Sequence, residues 1–93
     1  MKNIIEITKD LIEITENKDI RIEDFKYSDC ELYKNTLPLR KSISLSMTSN
    51  DIGFKNILFD VKKIADENKL EISNIEYSET VIERKIKVKL IEI

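Results

Sequence analysis

Three groups of side chains offer the chemistry open to this sequence, and the first is a set of carboxylates. They cluster at Asp24, Asp29 and Glu31, and again at Asp66 and Glu67. Carboxylate oxygens are the ligands that Ca²⁺ and Mg²⁺ take in proteins. No loop has the ligand spacing or the glycine of an EF-hand, so we expect solvated surface acids and neither a metal site nor a cofactor.

The second group is a row of lysines, Lys85, Lys87 and Lys89, which alternate along the chain and would project from one face of a strand. Such a row can form a basic stripe for nucleic acid or lipid headgroups. The strand offers no aromatic side chain for stacking on bases. The whole chain has 16 basic against 18 acidic residues and a net charge of −2. We therefore expect a solvated sheet face and no nucleic-acid partner.

The third group is a single cysteine, Cys30, which lies between Asp29 and Glu31. Neighbouring negative charges raise the pKa of a thiol, so we expect this one to be inert. One cysteine cannot form an internal disulfide, and the chain has no histidine, the commonest general base and metal ligand. With no nucleophile–base pair visible, the sequence predicts a binding or scaffolding module and not an enzyme.

These residues must be held by a small domain. The chain has 93 residues and 10.9 kDa, 41% hydrophobic and 37% charged, which predicts one packed domain over residues 1–93. No apolar run reaches the roughly 20 residues that span a bilayer. Glu6 and Asp10 interrupt the first apolar stretch, which excludes a signal peptide. We expect a soluble chain.

Two segments carry the period of an amphipathic helix. The first is 3–17, with Asn3 as its N-cap and an apolar stripe at Ile4, Ile7, Leu11 and Ile14. The second is 51–67, followed by Asn68, with an apolar stripe at Phe54, Ile57, Leu58, Val61, Ile64 and Ala65.

Four segments alternate as strands do. The patterns over 38–48 and 81–92 are uninterrupted, whereas those over 20–28 and 70–78 slip by one residue, near Glu23-Asp24 and Ser73-Asn74. A short turn at 78–80 joins the last two strands. Residues 28–36 have no clear period, and we predict a partly extended connection there.

The element order αββαββ predicts an α+β, two-layer sandwich with both helices on one face of an antiparallel four-stranded sheet. A right-handed crossover through the second helix leaves a slot that the last strand fills, giving the sheet order third, fourth, second, first. This is a circularly permuted ferredoxin-like arrangement. It places the two uninterrupted strands at the centre and the two bulged strands at the edges, where bulges discourage unwanted pairing.

The element order also resembles that of the periplasmic domain of PilO-type pilus-assembly proteins and of the related M proteins of type II secretion. Two stretches resemble the strand and helix of that family in particular, Leu37-Pro38-Leu39 to Met47 and the helix from Phe54 to Val61. The match continues through Ile72–Ile75 and the closing strand Lys85–Leu90. Two family features are absent from this chain: the glycine before the helix, where Ser49-Asn50 stands, and the preceding transmembrane helix and coiled coil.

The resemblance implies a non-enzymatic scaffolding and dimerisation domain of a type IV pilus or type II secretion inner-membrane complex. It implies a homodimer, a PilN-like partner of similar fold, and a place at the extracytoplasmic face of the bacterial cytoplasmic membrane, with attachment only through a segment absent from this chain. The alternative from the residues is a cytoplasmic regulatory module that binds a small effector at a dimer interface. Gly53, near the start of the second helix, is the only glycine in the sequence at which such an effector could approach the backbone closely.

We predict that any interface uses the edge strands with adjacent helix side chains. Unpaired N–H and C=O groups at a sheet edge can continue the sheet into a partner. The candidate residues are Phe25, Tyr27, Ile75 and Tyr77, together with Ile91 and Ile93. The last two share parity with the lysine row, and they either fray or follow a terminal bulge, or else extend an apolar patch on the open face.

Overall fold

The computed structural model describes residues 3–16 and 19–93. One sheet and two helices account for most of this part of the chain. The elements are α1 (Ile4–Glu13), β1 (Ile20–Tyr33), β2 (Thr36–Ser49), a 3₁₀ helix (Ile52–Asn56), α2 (Ile57–Glu67), β3 (Leu70–Glu79) and β4 (Arg84–Glu92).

The sheet is antiparallel throughout and its strand order is β1-β2-β4-β3, as predicted. The central strands β2 and β4 pair without a register shift. The edge strands carry the predicted irregularities, between Ile22 and Asp24 in β1 and between Ile72 and Asn74 in β3. The assignment to a permuted ferredoxin-like fold stays a prediction.

Both helices pack on the same face of the sheet, which confirms the α+β sandwich. Leu11 of α1 and Val61 of α2 are fully buried in one cluster with Leu45 of β2 and Val88 of β4. The odd-numbered positions of β2 and the even-numbered positions of β4 therefore form the floor of the core. We call the other side of the sheet the open face.

The helix ends follow from local hydrogen bonding. Asn3 Oδ1 accepts from the N–H of Glu6 at 3.0 Å, which confirms the predicted N-cap. The α-helix ends at Glu13, earlier than predicted, and residue 17 lies outside the described residues. The second helix starts differently from the prediction. Asp51 caps Gly53 N–H at 3.1 Å, and the first turn is 3₁₀ before α2 begins at Ile57.

The connection predicted over residues 28–36 is extended, as predicted in part, but its length is wrong, because strand continues on both sides and only residues 34–35 form the turn. β1 runs on to Tyr33, and Lys34 and Asn35 turn the chain with φ values of 52° and 58°. Two positive φ values are what a two-residue hairpin needs. Register shifts between Ser28 and Glu31, and between Glu31 and Tyr33, erased the alternation that would have indicated a strand.

The last strand also begins later than predicted, at Arg84 instead of residue 81. Thr80 N–H donates to the Glu83 carbonyl at 2.7 Å, so Val81 and Ile82 form the tip of the hairpin. Both side chains are exposed, at 97% and 76%. Apolar residues are typical of strands, which is why these two were predicted as part of the last strand. The hydrogen bond between Thr80 and Glu83 closes the turn and leaves Val81 and Ile82 outside the ladder.

The β1–β2 hairpin is longer than the rest of the sheet. β2 pairs with β4 only from Ser42 onward, so residues 29–41, which we call the ribbon, pair only with each other. The ribbon bends over the open face, where Glu31 accepts from Ser42 at 3.4 Å and forms an ion pair with Lys89. Arg40 stacks over the Tyr33 ring at 5.1 Å and donates to the Glu92 carbonyl.

Candidate interaction surface at the sheet edges

The outer edges of β1 and β3 have no neighbouring strand among residues 3–16 and 19–93, but the two edges differ in regularity. β1 has three register shifts along its length, so its free groups do not form a continuous row. β3 has one shift, between Ile72 and Asn74, and is regular from Asn74 to Glu79. A continuous row of N–H and C=O groups is what a strand-adding partner needs, so β3 is the better template.

Apolar side chains accompany this regular edge. Ile75 and Tyr77 pair with Val88 and Ile86, which places them on the helix side of the sheet. They are nevertheless 45% and 44% exposed, because the outer margin of β3 lies beyond the cover of α2. We call Ile75 and Tyr77 the β3 patch.

A groove beside the patch runs along α2. It includes Ile75 of the patch itself, and its other walls include Ile72 of β3 and Lys62 and Ala65 of α2. The outer margin of the sheet therefore presents apolar side chains, a helix flank and a free backbone edge together.

The Tyr77 hydroxyl is tied to its own strand. It donates to Glu79 Oε2 at 3.0 Å, and Arg84 Nε lies 3.5 Å from the same oxygen. Desolvation, followed by the hydrogen bond to Glu79 and the charge of that carboxylate, raises the pKa of Tyr77. The uncharged hydroxyl therefore bonds within its own strand.

The opposite edge offers less exposed apolar surface. Phe25 is partly buried and packs against the core, whereas Tyr27 is 43% exposed. Tyr27 also lines a cavity of about 200 Å³ together with Ile4, Ile7 and Leu70. The four predicted edge residues thus lie on two opposite margins, and one chain does not bring them into a single surface.

The predicted apolar patch at the C-terminal end of β4 is wrong for Ile91. That side chain lies on the open face, as its parity indicates, but it is only 2% exposed. The bent ribbon accounts for this, since Leu32 and Tyr33 line the same pocket as Ile91. Ile93 is 58% exposed and its N–H donates to the Lys69 carbonyl.

The lysine row on the open face is compensated by acids. Lys85 lies 3.1 Å from Glu23, and Lys89 forms an ion pair with Glu31. Lys87 pairs in register with Glu76 of β3. The hydrogen bond from Lys89, helped by its charge and by Ser42, lowers the pKa of Glu31 against the opposing effect of desolvation. Because acids lie beside these lysines, the open face does not present the continuous row of positive charge that binds phosphates.

Three of the five predicted carboxylates, Asp24, Glu31 and Asp66, form ion pairs with lysines. Asp24 lies 3.6 Å from Lys26, and Asp66 lies 3.4 Å from Lys62. In residues 3–16 and 19–93 no group of three or more His, Cys, Asp or Glu side chains is placed to hold a metal ion.

The remaining candidate residues are Cys30 and Gly53. The Cys30 thiol is exposed, and its hydrogen bond to Asp29 at 3.2 Å, followed by the charge of that carboxylate, raises its pKa, as predicted. Gly53 has no positive φ, and a Cβ there would meet no atom of the described residues closer than 3.7 Å. The fold of the chain itself therefore does not require glycine at this position.

Two exposed apolar features were not predicted from the sequence. They are three leucines on the ribbon and the tip of the β3–β4 hairpin. Leu37 and Leu39 keep the parity of the core positions, so their pattern predicted burial, but the helices do not extend over them and they are 77% and 51% exposed. Leu32 is 45% exposed. For Val81-Ile82 the only signal was the preceding Ser-Glu-Thr turn sequence.

Comparison of the chain with protein-family models, with curated proteins and with solved structures gives no match. Within the described part of the chain, neither helix is long and apolar enough to cross a membrane. The resemblance to PilO-type domains therefore stays a prediction, and the geometry of the β3 edge is the main observation that bears on function.

Proposed function

We propose that this chain is a non-enzymatic protein–protein interaction domain that scaffolds an assembly by forming a homodimer. The observation that carries the proposal is the β3 edge, where a regular row of free backbone groups lies beside the exposed Ile75 and Tyr77. Edge strands in natural proteins are usually blunted by charge, bulges or cover. The stretch Asn74–Glu79 has no bulge, and its helix-side margin carries Ile75 and Tyr77, with the charged Glu79 only at its end.

The assembly that the sequence resemblance favours is a type IV pilus or type II secretion complex of the bacterial inner membrane. In that setting the domain lies on the extracytoplasmic side and pairs with itself and with a PilN-like protein of similar fold. Attachment of such a complex to the membrane raises the effective concentration of the domain, so a weak pair is sufficient.

Sedimentation equilibrium from about ten to several hundred micromolar tests the self-association, with the Tyr77→Glu variant beside the wild type. We expect the wild type to form a dimer and Tyr77→Glu to be a folded monomer, because the charge would be buried at the interface. Tyr27→Glu is the matched control on the other edge, with similar exposure, and should still dimerise. A wild type that is monomeric throughout would contradict the proposal.

The assignment to a pilus or secretion complex needs its own measurement. Titration of this chain with the purified extracytoplasmic domain of a PilN-like protein should give a complex that competes with the homodimer. If the homodimer forms but no mixed complex does, self-association stands and the assignment to that machinery fails.

A further inference from the structure

The backbone of β3 fixes which residues can bond to a partner strand. In an antiparallel ladder, residue pairs that exchange hydrogen bonds alternate with pairs that do not. Thr80 N–H donates to the Glu83 carbonyl across the hairpin tip, which makes the next pair, Glu79 with Arg84, a non-hydrogen-bonded one. Counting back along the register, Tyr77 with Ile86 and Ile75 with Val88 are also non-hydrogen-bonded.

The N–H and C=O groups of Ile75, Tyr77 and Glu79 therefore point away from β4, toward the free edge. Their side chains lie on the helix side of the sheet. Asn74, Glu76 and Ser78 instead use their backbone groups on β4. A strand added at this edge must place its own outward-pointing residues opposite Ile75, Tyr77 and Glu79.

Two copies of β3 related by a two-fold axis perpendicular to the sheet can meet this condition in only a few registers. Each residue keeps its face across such an axis, so helix-side residues must lie opposite helix-side residues. Parity alone allows the axis to pass through any residue from Asn74 to Glu79. An axis at Ser78 or Glu79 sets Ile75 opposite the turn of the hairpin, and an axis at Asn74 sets Ile75 opposite the bulge. Axes at Ile75, Glu76 and Tyr77 are left. The choice among these three registers decides the contacts of the dimer.

Electrostatics and the bulge eliminate two of the three. An axis at Glu76 sets that carboxylate against its own copy in a non-hydrogen-bonded pair, where side chains approach most closely and like charges destabilise. An axis at Ile75 brings Tyr77 opposite Ser73, where the register shift interrupts the ladder. An axis at Tyr77 avoids both, because Glu76 then lies opposite Ser78 and Ile75 opposite Glu79.

We propose that this chain dimerises by antiparallel pairing of β3 with β3 of a second copy, with Tyr77 on the two-fold axis. The pairs Tyr77–Tyr77, Ile75–Glu79 and Glu79–Ile75 each exchange backbone hydrogen bonds, and the two sheets become one continuous sheet. This inference rests on the proposed function, since it specifies the interface of the same homodimer.

The same register gives the apolar hairpin tip a partner. The hairpin tip of each copy then lies next to the bulged end of β3 of the other copy, where Ile72 lines the groove along α2. The two Tyr77 rings meet on the helix side, and an aromatic pair of this kind adds to the burial of apolar area. One contact of the dimer therefore accounts for the exposure of Val81 and Ile82 in the single chain.

Disulfide trapping in a Cys30→Ser background distinguishes the registers. The Cα atoms of a hydrogen-bonded antiparallel pair lie about 5.5 Å apart, within the range that a disulfide spans. We expect Tyr77→Cys to form a dimer linked to itself under mild oxidation. A self-linked Ile75→Cys dimer would place the axis at Ile75. A link formed only on mixing Ile75→Cys with Tyr77→Cys would place it at Glu76. Either result overturns the inference.

Amide hydrogen exchange on the Cys30→Ser protein, with Tyr77 intact, gives a second test. Between dilute and concentrated samples, the amides of Ile75, Tyr77 and Glu79 should become at least ten-fold slower. Those of Asn74, Glu76 and Ser78 already bond to β4 and should change much less.

The two tests separate the inference from the proposed function. A dimer in sedimentation without protection at β3 and without a Tyr77→Cys link would leave the homodimer standing and refute its β3 interface. A monomer at several hundred micromolar would refute both.

Discussion

At the scale of single residues, Leu45 illustrates how side-chain parity determines the register. It lies on the helix side of β2, level with Val88 of β4, and both are 1% exposed. Its neighbour Ser44 points to the open face. The sequence pattern predicted these orientations, because a one-residue slip would have exchanged the buried and open sets. Parity could not predict the burial of Ile91, since that depends on how a distant ribbon bends.

Truncation of the core should show this register in solution. We expect Leu45→Ala to lower the free energy of unfolding by about 2–4 kcal/mol, because it removes a buried side chain and leaves a cavity. Val88→Ala should also destabilise. Ser44→Ala is the matched control and should change stability little. Urea denaturation that ranked Ser44→Ala as the more damaging change would contradict the register.

The ion pair between Glu31 and Lys89 should make stability depend on pH. The pKa of Glu31 is lowered in the folded state, so its ionised form stabilises the protein above the unfolded pKa of about 4.3. That contribution is lost as the pH falls through the lower, folded pKa. The pair is partly exposed, so the effect should be under about 1 kcal/mol.

The variant that tests this ion pair is Glu31→Gln. It should be less stable than the wild type at pH 7, and the difference should shrink on acidification below about pH 4.3. Denaturation midpoints across pH 2.5–7 measure this difference. A difference that did not change with pH would mean that the loss comes from packing of the ribbon and not from the charge.

At the scale of elements, periodic segments were predictable and bent ones were not. The positions of α2 and of the two central strands follow directly from apolar spacing, and the register slips correctly marked β1 and β3 as edges. The ribbon was missed because its register shifts remove the period on which a strand prediction depends. The hairpin turn was missed because Lys34-Asn35 lacks the glycine that usually indicates one.

That turn can be improved by changing its two residues. Both have positive φ, which costs a side chain such as lysine more than it costs asparagine or glycine. The double variant Lys34→Asn/Asn35→Gly supplies the favoured Asn-Gly pair and should raise stability by about 0.5–1 kcal/mol. Thermal and urea unfolding measure the gain. Destabilisation would indicate that the Lys34 side chain, which lies 5.1 Å from the Tyr33 ring, contributes more than the backbone conformation costs.

At the scale of the whole molecule, backbone pairing between strands and burial under the helices are both greatest at the centre of the sheet. β2 from Ser42 to Ser49 has a strand on each side and helices above it, so it combines paired backbone with buried side chains. The ribbon beyond it has only two strands, and a two-stranded hairpin is marginally stable by itself. Its leucines are exposed, and Glu31 anchors it to β4 through Lys89. The sequence predicted which strands are central, but not this difference along a single strand.

Native-state hydrogen exchange should therefore divide β2 into two parts. Backbone amides that bond within the Ser42–Ser49 stretch should exchange only through global unfolding, with opening free energies that fall steeply in low urea. Those in the Thr36–Lys41 stretch should exchange through a smaller opening that frees the ribbon alone. That opening exposes little surface, so its free energy should be lower and almost independent of urea. Equal protection and equal urea dependence along the whole of β2 would mean that the ribbon is an integral part of the cooperative core.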